Sequence, residues 1–417
     1  MAVSKEILIV GGGLAGLSCA YELHQHGLPF QLFEASDGLG GRVRTDEVDG
    51  FRLDRGFQVL LTAYPEAQRV FDYEQLQLQP FYPGAMIRCD NRLHLLGDPS
   101  RRPGDLLASL RSPVGTLMDK MKLGWLRAEL KKTAFERLML GDDSPTCEWL
   151  VRYGFSPTII DRFFRPFLGG VFLDRELNTS SRMFRFVFRM FADGPVTVPR
   201  LGMGALPIQL ADRLPAESLH LNTPVSKVGT NELTLSSGQV HKGRAVVLAA
   251  DLKHASGLYP ELTDRAWRTT HCLYYDAPTP PVEKPILVLN GQEHGLINNL
   301  VVLSEVNPSC APPGRSLVSV TVLGDDIMLD ALDPEVKKEL TTWFGPTVDH
   351  WRHLRTYSIP YALPDQSPGV LEPLQRPTRT DKGLYVCGDH LDHTSIQGAL
   401  ESGRRAAKAV IVDGGSS

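Results

Sequence analysis

The stretch "EILIVGGGLAGLSCAYELHQHGLPFQLFEA" leaves few folds open to this chain. It reads as a strand, a glycine turn, a helix and a second strand, the opening of a parallel α/β sheet. Gly11, Gly13 and Gly16 fall on the G-x-G-x-x-G spacing. The first allows a tight turn, the second lets backbone approach a pyrophosphate, and the third lets helix and strand pack closely. Leu14 and Ala15 open the predicted helix, which runs to about His26, and its free amides and dipole favour an anion. Glu34 ends the second strand 18 residues after Gly16, with Ala35 behind it. An acid there accepts hydrogen bonds from ribose hydroxyls. The spacing implies a dinucleotide, without separating FAD from NAD.

The next stretch separates them. "DGLGGRVRT" places Gly40, Gly41, Arg42 and Thr45 just past the second strand. It resembles the G-G-R-x-x-T signature of flavoproteins in the amine oxidase, protoporphyrinogen oxidase and phytoene desaturase superfamily. That resemblance implies close passage of the glycines by FAD and charge balance of the pyrophosphate by Arg42. Near the other end, "GLYVCGDHLDHTSIQGALESGRRAAKAVI" reads as a strand (Leu384 to Cys387), a Gly388-Asp389 turn and a helix from about Ser395. It resembles the superfamily's second flavin motif. There the aspartate holds the ribityl chain, and the helix start, here Ser395 and Ile396, faces the flavin ring and stabilises its negative charge. No cysteine matches the tether of some amine oxidases, since Cys387 lies in the preceding strand. FAD is therefore expected to be non-covalent.

"FRLDRGFQVLLTAYPEA" (51–67) follows the glycine loop and resembles the corresponding stretch of plant-type carotene desaturases. Arg55, Gly56 and Phe57 are expected beneath the flavin ring. Arg55 is open to a second role, a salt bridge with Asp54 or Glu401. "GMGALPIQLADRL" resembles the segment leading to a third flavin contact, and Val225 matches the residue whose backbone meets the adenine. "LHLNTPVSKV" reads as a strand pair, and "ELTLSSGQVHKGRAVVLAA" as a hairpin and a buried strand.

The expected fold is α/β: a discontinuous Rossmann-type FAD-binding domain from residues 1–85, 201–266 and 378–417, with an α+β substrate domain. The substrate domain comprises a helical lid region (86–200) and a sheet (267–377) with strand-like runs "HCLYY", "ILVLN", "NNLVVLS" and "SLVSVTVLG". One helix is expected around Pro334 to Phe344, and Ser144-Pro145 and Ser156-Pro157 read as helix caps followed by proline at the first helical position.

The substrate must be sought in the middle of the chain. The superfamily's amine oxidases grip an amine with aromatic walls, and counting back from Gly398-Ala399 puts Ser395 where one wall stands. "TTHCLYYD" resembles the strand that carries their flavin-facing lysine, and His271 falls at that place. His390 and His393 are candidate acid–base groups, and no metal-ligand set stands out. "RMFRFVFRMF" (182–191) sets Phe184, Val187, Phe188 and Phe191 on one face and Arg182, Arg185 and Arg189 on another. Residues 101–137 hold nine Lys or Arg against four Asp or Glu. This region reads either as core-facing helices with a solvated face or as a lid that meets a bilayer.

A net charge of −4 argues against nucleic acid as a partner. Six cysteines without a C-x-x-C pair suit a reducing compartment. With no apolar run long enough to span a membrane and no signal-peptide pattern, the expected place is the cytoplasm, with peripheral membrane contact open. The expected activity is hydride removal by FAD from a hydrophobic substrate of carotenoid, isoprenoid or porphyrinogen type, with oxygen or a quinone as electron acceptor. The alternatives are an amine or amino-acid oxidase, and a flavin-dependent isomerase or FAD-binding protein without net redox turnover.

Overall fold

Ile7–Val10 and Ala245–Leu248 are buried at every position, as strands covered on both faces must be. The two lie side by side in a five-stranded sheet of order Leu219–His220, Phe30–Phe33, Ile7–Val10, Ala245–Leu248 and Tyr385–Val386. Every pairing in it is parallel. The computed structural model describes residues 5–292, 294–325 and 327–415; residues 1–4, part of the signal-peptide reading, lie outside these. Helix Leu14–Gln25 crosses between the first two strands and packs on the final helix, Ile396–Gly415. Ser18 donates to the Leu400 carbonyl at 2.7 Å, and a Cβ on Gly403 would strike the Ala15 carbonyl. Glycine at 403 is thus a packing requirement.

A second, seven-stranded sheet has the order Arg352–Pro364, Trp267–Ala277, Ser316–Leu323, Ile297–Val302, Leu287–Asn290, Gly84–Cys89 and Arg92–Gly97. All the strand-like runs expected between 267 and 323 form here. The hairpin Gly84–Cys89/Arg92–Gly97 extends the sheet, and the helices of the 86–200 region, expected from about residue 100, begin at Pro103. From there to Asp193 the chain is a set of helices, the longest of them Leu117–Lys132 and Ser181–Asp193.

Three local expectations shift. Leu219–His220 joins the parallel sheet while Val225–Val228 pairs with the Glu232–Leu235 strand, so the expected strand pair divides between two sheets. The helix placed at Pro334 starts at Leu329 and carries the proline inside it. Ser156 caps its helix as expected, accepting from the Ile159 amide at 3.5 Å, but beyond Ser144 the helix begins at Thr146, with Pro145 in the cap position.

Candidate functional site

The two sheets and the helical region enclose one cavity of about 1830 Å3. Pockets for a single drug-sized ligand hold roughly 300–1,000 Å3, so this one has room for a dinucleotide and a second molecule. Its first end is built by the glycine turn. Gly11 holds φ +110°, and a Cβ there would lie 2.8 Å from the Ala249 carbonyl oxygen, so only glycine brings the strand end this close. Gly13, Leu14 and Ala15 line the cavity at the helix start, while Gly16 sits behind them against Gly11. Glu34 and Ala35 line it too. The Glu34 carboxylate accepts from the Gly12 amide at 2.7 Å and from the Ser36 amide at 2.8 Å, which fixes its direction.

Gly41, Arg42, Val225, Gly388, Asp389, Ser395 and Ile396 close the same end. Arg42 donates to Asp389 at 2.8 Å and to the Ala362 carbonyl at 3.0 Å. Burial works against the Asp389 charge, yet the Arg42 guanidinium outweighs it and holds the carboxyl below its usual range. Arg55, Gly56 and Phe57 also line the cavity. Arg55 makes its salt bridge with Asp46, through bonds of 2.9 to 3.2 Å, and not with Asp54 or Glu401. Asp46 faces it across the Thr45–Val48/Phe51–Asp54 hairpin, a partner that sequence proximity to Asp54 obscured. Asp54 is instead buried, accepting from Thr45 at 2.5 Å and from the Met203 amide at 2.8 Å, and burial raises its pKa to about 6.

One face of the seven-stranded sheet forms the floor. Tyr357, Ile359, Thr270, Thr321, Asn299 and Leu287 point into the cavity from successive strands. His271 does not. It lies one residue from Thr270, and strand side chains alternate faces, so its ring points away and its Nε2 meets the Gly324 carbonyl at 3.1 Å. Thr270 is the neighbour that faces the cavity.

His390 is likewise displaced. It packs behind Gly388 with neither ring nitrogen partnered among the described residues, and burial drives its pKa down to about 4. Tyr64 lines the cavity, and Ser395 does face it. The Ser395 hydroxyl meets His393 Nδ1 at 2.9 Å and accepts from the Gly398 amide at 3.1 Å. Tyr64 stacks on Phe186 with ring centres 5.9 Å apart. Thr270, Asn299 and Thr321 carried no motif beyond the alternation along their strands, and Tyr64 was marked only as part of the 51–67 stretch.

Helix Ser181–Asp193 covers the cavity with Met183, Val187, Phe188 and Phe191. Phe184, expected on that face, packs away from it against Phe164 and Trp149. The three arginines are not a solvated stripe: Arg182 donates to the Gly141 carbonyl, Arg185 to Asp142 and Arg189 to Leu130 and Thr133. They tie the helix to the loops beside it. At the rim, Leu106, Leu110, Met121 and Trp125 line the opening and are exposed. With Leu107, Leu117 and Met118 they form an apolar patch on helices Leu106–Arg111 and Leu117–Lys132.

A family model described as flavin containing amine oxidoreductase matches residues 14–411. Over 79 residues the chain is 34% identical to 4,4'-diaponeurosporene oxygenase of Staphylococcus aureus, a match that spans 19% of this chain and only 16% of that protein. Over 472 aligned residues it is 23% identical to 15-cis-phytoene desaturase of Solanum lycopersicum, covering 98% of this chain and 78% of the relative. Its fold matches the crystal structure of an Exiguobacterium protein assigned as a protoporphyrinogen oxidase, with a TM-score of 0.77 at 19% identity over 99% and 100% of the two chains.

Proposed function

Because the chain belongs to the flavin containing amine oxidoreductase family, we propose that it is an FAD-dependent oxidoreductase that oxidises an apolar substrate in the cavity above its seven-stranded sheet. The residues fit the cofactor. A Cβ at Gly13 would meet nothing within 4 Å, leaving open space at the helix start for a pyrophosphate. Glu34 is aimed for ribose hydroxyls, Arg42 for phosphate charge and Asp389 for the ribityl chain. Cys387 does not line the cavity, so it is not placed to tether the flavin, in keeping with non-covalent attachment.

Bound FAD supplies the hydride acceptor, and oxygen or a quinone collects the electrons afterwards. The protein's part is to hold the reacting carbon over the ring and keep water out. Phe57, Phe167, Val187, Phe188 and Phe191 do this from the walls. Tyr64, held by burial well above its usual pKa, remains a neutral hydroxyl and offers no general base. His390 and His393, both driven down by burial to about 4, stay uncharged at neutral pH.

The observation that carries this reading is the size and apolar lining of a single space shared by the dinucleotide turn and the substrate sheet. The exposed apolar rim, set among basic residues in 101–137, supports delivery of such a substrate from a bilayer. The test is anaerobic flavin bleaching with amines, amino acids, carotenoid precursors and porphyrinogens. Bleaching by an apolar candidate supports the proposal; rapid bleaching by simple amines alone replaces it with an amine oxidase.

A further inference from the structure

The floor of the cavity is not uniformly apolar, and this observation is independent of the cofactor motifs. Asn299, Thr321 and Thr270 sit on three adjacent strands and face the same space, each at least nine-tenths buried. Asn299 pairs directly with Thr321 in register, and Thr270 is the diagonal neighbour of Thr321 across the next ladder. Resting on the reading of an apolar substrate, we infer that this row is a hydrogen-bonding subsite for one hydroxyl or carbonyl group on that otherwise apolar molecule.

A β-bulge prepares the row. The register shifts between Ile297 and Asn299, and the extra residue, Asn298, turns its amide to its neighbour. Asn298 Nδ2 donates to Asn299 Oδ1 at 2.9 Å and to the Pro166 carbonyl at 2.9 Å, which locks the Asn299 amide. Asn299 Nδ2 then donates to Thr321 Oγ1 at 3.1 Å. Thr321 has therefore accepted a bond and keeps its proton to donate. Thr270 has the opposite polarity: its hydroxyl donates to the Val322 carbonyl at 3.3 Å, leaving oxygen lone pairs to accept. Gly170 packs directly against the asparagines; a Cβ there would lie 3.0 Å from both amides.

Such polar groups in an apolar pocket cost stability unless something satisfies them, and they fix a ligand's orientation when they are met. The row also sets a distance. Ile359, paired with Thr270, would touch a Cβ on Gly56 at 2.7 Å, so the row starts beside the stretch expected under the flavin ring. Thr270, Thr321 and Asn299 lie one, two and three strands from Ile359, roughly 5, 10 and 15 Å away.

The FAD-loaded protein is titrated with farnesol and with farnesene, which share a carbon skeleton and differ by the hydroxyl, following the flavin absorption band. Farnesol binds wild type at least about 10-fold more tightly. In Thr321→Val the ratio falls to within about 2-fold while farnesene affinity is kept, and Thr321→Ser restores it. Thr270→Val serves as the second variant, with flavin content confirming that each has folded. A ratio unchanged by both valine substitutions, or absent in wild type, overturns the subsite alone. If neither terpenoid perturbs the flavin while butylamine does, the apolar-substrate reading fails and takes the subsite with it.

Discussion

Arg42 and Asp389, 347 residues apart, meet in an ion pair of 2.8 Å that joins the glycine loop to the last flavin motif. Asp389 is buried, so removing its partner strands a charge away from water. Arg42→Met is expected to destabilise the protein by about 1–3 kcal/mol, less than a fully buried pair would lose because the guanidinium keeps some water contact. Arg42→Met combined with Asp389→Asn should recover part of that loss. Urea unfolding of the four proteins without FAD measures the coupling; additive losses would mean the pair contributes nothing beyond its parts.

Glu34→Ala should weaken FAD binding by about 10- to 100-fold, the loss of charge-assisted hydrogen bonds worth about 1.5–3 kcal/mol. The substitution also releases the Gly12 amide that the carboxylate holds at 2.7 Å. Fluorescence titration of apoprotein with FAD gives the affinity. All flavin should leave wild type on acid precipitation; flavin retained in the pellet would disprove non-covalent attachment.

Asp54 makes stability depend on pH. Burial raises its pKa from an ordinary 3.8 to about 6, so the folded protein binds its proton more readily than the unfolded chain. Between roughly pH 4 and 6 the folded state carries more protons, and this group's contribution to stability falls as pH rises through that window. Above it, the buried charge costs about 2–3 kcal/mol. Asp54→Asn keeps an acceptor for Thr45 and the Met203 amide, and should flatten this slope and raise the Tm at pH 7.5 relative to wild type. A Tm profile with the same slope in both proteins would contradict this origin.

The dinucleotide end was legible because its determinants are local: glycine spacing and an acid at a strand end need no knowledge of distant partners. The substrate end depends on pairing across strands. His271 and Thr270 are neighbours in the chain, and a slip of one residue in a strand exchanges cavity for the opposite face. Arg55 found Asp46 through a hairpin, and Arg189 found the Leu130 and Thr133 carbonyls through helix packing. Those partners are set by tertiary structure, which residue type and spacing do not encode directly. The Asn298 bulge has no sequence mark at all.

The exposed rim predicts lipid-dependent partition. Wild type should sediment with anionic liposomes at low salt and be released as salt rises, since exposed charges are screened beyond about 8–10 Å. Leu107→Ser with Trp125→Ser should reduce sedimentation about 10-fold or more, as each large apolar side chain is worth about 1.5–3 kcal/mol on burial. Equal recovery of wild type in the supernatant with and without liposomes would leave the rim without this role.

The order of strands in the parallel sheet has a consequence for biosynthesis. Ile7–Val10 pairs with Ala245–Leu248, and that strand in turn with Tyr385–Val386. At about 5–20 residues per second, a ribosome needs roughly 10–50 s to supply the second strand after the first, and further time for the third. Through that interval the apolar edge of Ile7–Val10 has no neighbour on one side, which makes the nascent chain a client for chaperones. Asp389 and the final helix emerge later still. Flavin capture therefore waits until they have emerged, and a prematurely stopped chain that lacks them would be left colourless and open to proteolysis.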